Sequence, residues 1–198
     1  MARGKSLLRD KLQQATRDVI VDALIAQLLE SGAYDLTYFS LARRSGVSVR
    51  TLYRHFPKRE DLLDELSRRV NVLIALKDVP RNREGTVALV RTLFATFDRH
   101  APVVSAQILA GLAGKVRARA RQKRVSLVES VFAHTMPSLP IERRKAAAGL
   151  ITVLLSANTW ARLRDESGLD GTQSGEVTAW AIDTLWRALE AEDRKAAR

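Results

Sequence analysis

Between Thr37 and Leu62 the chain spells a short helical stretch, a turn centred on Gly46, a second short helical stretch and the basic start of a third. No other segment constrains the fold as tightly. Leu41, Ala42 and Val47 supply the apolar contact between the first two stretches, and Ala42 is small enough for close approach. Glycine at 46 takes the positive φ that a sharp helix-to-helix turn requires. This is the layout of a helix-turn-helix. Ser48, Val49, Arg50 and Thr51 open its second helix, the end that meets base edges when such a helix lies in a major groove. Tyr53, His55 and Arg59 follow with hydroxyl, imidazole and guanidinium groups suited to phosphate oxygens.

The rest of the chain is helix-periodic, and no stretch alternates as a strand would. The periodicity predicts an all-α protein of about nine helices. Residues 1–10 read as a basic, mobile arm carrying Arg3, Lys5 and Arg9. A first helix is expected over about 11–31, with Ile20, Leu24 and Leu28 on one stripe and Gly32 as its stop. The second covers about 38–45 behind Thr37 as N-cap, the third about 49–55, and the fourth about 59–76 after Pro57. Residues 77–83 read as a linker. Further helices are expected over about 84–99, 102–112, 115–135, 140–166 and 176–193, with a Gly/Ser-rich loop over 167–175. The expected domains are 1–57, a DNA-binding helix-turn-helix domain with its arm, and 58–198, a helical ligand-binding and dimerisation bundle.

Charge sharpens the functional reading. The net charge is +11, and residues 1–59 hold eleven Lys and Arg against five Asp and Glu, +6 of that excess. A basic third that also contains the helix-turn-helix points to a polyanionic partner. Composition is that of a soluble globular chain, with 46% apolar and 28% charged residues. Zero cysteines exclude disulfides and thiolate chemistry, and the three histidines have no metal-ligand spacing. No cofactor and no metal are expected. With no phosphate loop and no nucleophile motif, the chain is read as a non-enzyme. It has no apolar run long enough to span a membrane and no signal-peptide core, so a cytoplasmic location is the default.

The residues that carry most information agree with a known family. Leu41-Ala42, Gly46-Val47-Ser48, Leu52-Tyr53-x-His55-Phe56 and Arg59-Glu60-Asp61-Leu62-Leu63 resemble, at matching spacing, the tetracycline-repressor (TetR/AcrR) family of bacterial transcriptional regulators. The resemblance covers about residues 15–66, roughly a quarter of the chain. It implies a homodimer, three DNA-binding helices and a ligand domain of six or more helices whose last two form the dimer bundle. It places Val49, Arg50 and Thr51 on base-reading positions, Tyr53 and His55 on phosphate-contacting positions, Arg59 at the basic start of the fourth helix and Thr37 on a capping hydroxyl near the backbone. Three positions depart from the pattern. Tyr38 replaces the second of a frequent Thr pair, so a phosphate-contacting hydroxyl is displaced or lost. Lys58 stands where a cap acceptor is usual. Phe39 stands where some members place a polar base reader, shifting readout towards Arg50.

Each assignment has a plainer counterpart. Arg50 is also readable as a solvated charge, and Arg43 and Arg44 divide evenly between backbone contact and solvation. Six basic side chains between Lys115 and Arg124, with no acid, spread around their helix. They read as a solvated helix start, a second nucleic-acid contact or a cationic mouth for an acidic ligand. Phe94, Phe97, His100, Gln107, Phe132, Asn158 and Trp160 interrupt apolar helices; they are either core residues or, by the family's pattern, the lining of an effector cavity. Leu150, Leu154, Ala157, Ala161, Val177, Ala181, Leu185 and Leu189 form stripes longer than a peripheral helix needs, which a symmetric homodimer interface explains. The expected function is a ligand-responsive, sequence-specific regulator of transcription, a repressor released from a palindromic operator by a small organic effector. The alternative is a sequence-nonspecific or architectural DNA-binding protein.

Overall fold

A computed structural model describes residues 2–32, 36–74, 80–110 and 115–198, leaving aside the side chains of 2–6 and 115–121. Ten helices are described: α1 Ala2–Ser31, α2 Tyr38–Ser45, α3 Val49–His55, α4 Arg59–Ile74, α5 Arg83–Arg99, α6 Ala101–Leu109, α7 Lys115–Thr135, α8 Ile141–Leu154, α9 Ala157–Ser167 and α10 Gly171–Ala196. Two compact units emerge, 1–72 with 102–112 and 73–101 with 113–198. The first unit therefore runs through most of α4, to Val72, past the boundary expected at residue 57, and also takes in 102–112.

In the first unit one apolar core gathers α1 to α4. Ile20, Leu24 and Leu28 of α1, Leu41 of α2, Leu52 and Phe56 around α3, and Leu62, Leu66 and Val70 of α4 are each at most 1% exposed. Each such side chain contributes about 1.5–3 kcal/mol by leaving water. The α1 stripe falls at i, i+4 and i+8 as expected. Residues 2–10, expected as a mobile arm, continue α1 as helix. Leu7 and Leu8 in that part, and Leu12 just beyond it, are exposed apolar side chains.

In the second unit α10 packs on α5, α7 on α8, and α9 on both α5 and α10. The seam between α10 and α5 is built from small residues. Gly171, Ser174, Gly175, Thr178 and Ala179 are buried, followed by Ile182, Trp186 and Leu189. Arg91 pairs with Glu176 at 2.8 Å across it.

Two boundaries correct the expectation. The helix over 140–166 is two helices, because Ser156 stops α8 and caps α9, its hydroxyl accepting from the Thr159 N–H at 3.3 Å. The loop over 167–175 is shorter. Gly168 takes φ 69 to end α9, and Asp170 with Gln173 forms a capping box that starts α10 at Gly171. The basic run 115–124 lies on α7, but the side chains of 115–121 are outside the described residues; Lys123 and Arg124 are exposed. The linker over 77–83 falls partly outside them too.

Candidate nucleic-acid interface

The local chemistry of α2 and α3 is what sets the site. Thr37 caps α2 as its sequence suggests. Its Oγ1 accepts from the Ser40 N–H at 3.0 Å and Ser40 Oγ accepts from the Thr37 N–H at 3.2 Å. Gly46 then turns the chain with φ 71, a conformation costly for a residue with a side chain. Ser48 caps α3, accepting from the Thr51 N–H at 3.1 Å, and the two hydroxyls lie 2.9 Å apart. Ser48 and Thr51 are thus engaged in building the start of α3.

Leu52 and Phe56 turn inward, so the opposite side of α3 faces water. Arg50, Tyr53 and Arg54 are exposed there, and Val49, Thr51 and His55 are half-buried. Arg54, one turn beyond Arg50, carries no motif signal of its own. Its i, i+4 spacing from Arg50 puts it on the same face. His55 is held below the usual imidazole value, first by burial and then by Arg54 and Arg17. At neutral pH the imidazole is therefore mostly uncharged.

The C-terminal end of α3 is fastened by side chains from elsewhere. Arg17 of α1 donates to the His55 carbonyl at 3.0 Å and to Glu65 of α4 at 2.8 Å, and its guanidinium lies 4.3 Å from the centre of the Phe56 ring. Glu65 also pairs with Arg68, and Arg69 pairs with Asp18 and Asp22 of α1. Tyr38 donates its hydroxyl to the Phe56 carbonyl at 2.7 Å and stacks on Tyr53. Burial above all, and then Asp61, Tyr53 and Glu60, push its phenol above the usual range. Helix carbonyls that lack intrahelical partners are satisfied in this way.

The remaining positions divide. Arg43 is exposed, while Arg44 is held by Glu30 of α1; both line a cavity of about 370 Å³ with Gln27, Ser31 and Ser40. Arg59 opens α4 and is exposed. Lys58 supplies no cap acceptor, but its N–H donates to Asp61 at 2.9 Å, which serves half of a capping box from the helix side. Phe39 is exposed by 72%, so its ring faces solvent.

The effector-lining candidates separate into groups. Phe94, Phe97 and Trp160 are buried together, with ring centres 5.8 Å apart for the two Phe and 5.9 Å from Phe97 to Trp160. Arg164 lies 4.4 Å from the Trp160 ring centre, and the buried Trp160 Nε1–H has no hydrogen-bond acceptor among the described residues. Phe132 is buried edge-on against Trp186, 4.8 Å away. Gln107 belongs to the first unit, and Asn158 is exposed on α9. Among the interface candidates Leu150 and Val177 are exposed, while Leu154, Ala157, Ala161, Ala181 and Leu185 are half-buried. Leu189 is fully buried within its own unit, so it cannot meet a partner; α10 turns it towards the same face as Ile182 and Trp186. Val153 and Trp180, exposed by 60% and 68%, extend the exposed apolar surface.

A capped, exposed α3 held across a glycine turn from α2 defines the helix-turn-helix class of nucleic-acid-binding domains. Residues 20–66 match the family described as bacterial regulatory proteins, tetR family. Over that stretch, about a quarter of the chain, the sequence is similar to the tetR family. Nucleoid occlusion factor SlmA of Serratia proteamaculans is 42% identical over 60 residues, 29% of this chain and 30% of SlmA, so the match spans under a third of that relative. The fold as a whole is similar to that of NalD, a secondary repressor of a multidrug efflux pump in Pseudomonas aeruginosa. The TM-score is 0.68 at 18% identity, over 87% of this chain and 95% of NalD. It is also similar to a TetR-like regulator from Rhodococcus, with a TM-score of 0.63 at 12% identity over 88% and 96% of the two chains.

Proposed function

We propose that this protein is a ligand-responsive, sequence-specific repressor of transcription that binds a palindromic operator as a homodimer. The observation that carries the reading is the exposed face of α3, where Arg50, Tyr53 and Arg54 stand free of the core on a helix fastened at both ends. Arg50 is the base reader, with Val49 and Thr51 beside it. Tyr53, His55 and Arg59 meet phosphates. The exposed apolar surface of α8 and α10, with Leu150, Val153, Val177 and Trp180, supports the dimer. NalD, which shares the fold, is itself a repressor.

Two recognition helices of a dimer must stand about 34–36 Å apart to enter successive major grooves. An effector acts by favouring a dimer with a different separation, and it must bind the two states with different affinity to do so. Tilting of α4 is the proposed route. The Phe94, Phe97 and Trp160 cluster supports an aromatic or apolar effector, and the unmatched Trp160 N–H favours one that brings a hydrogen-bond acceptor. Such a regulator works where the chromosome is, in the cytoplasm.

Selection from a random duplex pool by the purified protein, at about physiological salt, tests this reading. An enriched palindrome with half-sites about one helical turn apart supports it. The net charge of +11 favours a second reading, a nonspecific coating protein. Strong binding with a steep salt dependence and no enrichment would establish that instead. No binding in the absence of effector would overturn both.

A further inference from the structure

Tyr38 opens α2 at a position where the family pattern sets a small hydroxyl, and its side chain makes two contacts with α3. Its ring lies nearly flat on that of Tyr53, with centroids 4.4 Å apart and planes 13° off parallel. Its hydroxyl reaches the carbonyl of Phe56, the residue that closes α3, at 2.7 Å. Together they span the second half of a seven-residue helix. Tyr53 is still 52% exposed. One face of its ring is thus covered by Tyr38.

We infer that Tyr38 is a positioning residue for duplex binding: it holds the Tyr53 ring in the orientation its hydroxyl needs to meet a phosphate, and it anchors that orientation to the end of α3. The inference rests on the DNA-binding reading above. A side chain already in its bound rotamer loses no rotamer freedom on docking. The hydroxyl missing from the backbone-contacting position on α2 is thereby replaced in effect by a better-held hydroxyl on α3.

The test is a double-mutant cycle on the full-length protein, with the duplex enriched by wild type from a random pool as probe. Tyr53→Phe removes only the phosphate-contacting hydroxyl and is expected to weaken binding about tenfold or more, as the loss of a hydrogen bond to a charged group does. Tyr38→Ala is expected to weaken binding about three- to tenfold in the wild-type background, through freed rotamers, but less than about twofold when Tyr53→Phe is already present. Tyr38→Phe keeps the stack and is expected to stay within about threefold of wild type. Thermal melts of every variant separate this from a folding defect, since loss of stability alone does not depend on the Tyr53 hydroxyl. Losses that multiply independently, or a Tyr38→Ala or Tyr53→Phe protein that binds like wild type, would overturn the assignment while leaving the DNA reading standing. A wild-type protein that binds no duplex would overturn both.

Discussion

Gly171 runs so close to α5 that a methyl group on it would lie 2.8 Å from the carbonyl oxygen of Phe94, and closer still to the side chain of Asp98. The backbone oxygen cannot retreat without disturbing α5. Gly149, on α8, faces open space at the same construction. Gly171→Ala should therefore destabilise the protein by about 1–3 kcal/mol through overpacking. Gly149→Ala should stabilise it by about 0.5–1 kcal/mol, as expected for a glycine in a helix interior. Urea unfolding of both variants decides it; equal shifts would show that the α5–α10 seam yields where its geometry says it should not.

Glu65 carries an acid-sensitive part of the first unit's stability. Its carboxyl is held below the ordinary value of 4.5, most of all by the hydrogen bond from Arg68, with Arg17 adding to it and burial opposing. The folded protein thus gives up this proton more readily than the unfolded chain. The contribution is complete above the ordinary carboxyl value and fades as pH falls through the depressed one. Glu65→Gln should cost about 1–3 kcal/mol at neutral pH, and the gap to wild type should close as unfolding is repeated below pH 4.5. A gap that does not change with pH would refute the role of its charge.

Arg50 is exposed, so its removal should leave the fold within about 0.5 kcal/mol of wild type. Duplex affinity should fall by about 1–3 kcal/mol, and discrimination among half-site variants should relax at one position. Fluorescence anisotropy across single-base variants of the enriched duplex measures both. A uniform loss accompanied by a salt slope lower by about one would instead place Arg50 on a phosphate.

The exposed Trp180, together with Leu150 and Val153, sets the expectation for assembly. Trp180→Glu and Leu150→Glu should each shift sedimentation velocity from dimer to monomer at micromolar protein, while helical content stays unchanged. A wild-type protein that sediments as a monomer would remove the homodimer from the proposal.

Much of the DNA-binding half is legible in the sequence because its signals are local. Thr37, Ser48 and Gly46 each act within three residues of where they stand. What the sequence does not reveal is mostly long-range or carried by small residues. Arg17 meets Glu65 across 48 positions, and no pattern within α1 marks it. The first half of the buried side of α10 escapes notice because it is Gly, Ser, Thr and Ala, whereas the large apolar residues Val177 and Trp180 of that half point to solvent. The break between α8 and α9 is hidden because Leu154, Leu155 and Ala157 continue the apolar run, and a serine cap inside such a run looks like any other helical serine.

Arg17 grips the last turn of α3 with one nitrogen and α4 with another. In mechanical terms this is a bridge between the two helices. On the proposed mechanism, a twist of α4 would be passed to α3 through it, and a small angle at one end would become a displacement at the exposed tip. Arg17→Gln would remove the bridge to α4, while the Tyr38 hydroxyl would still hold the end of α3.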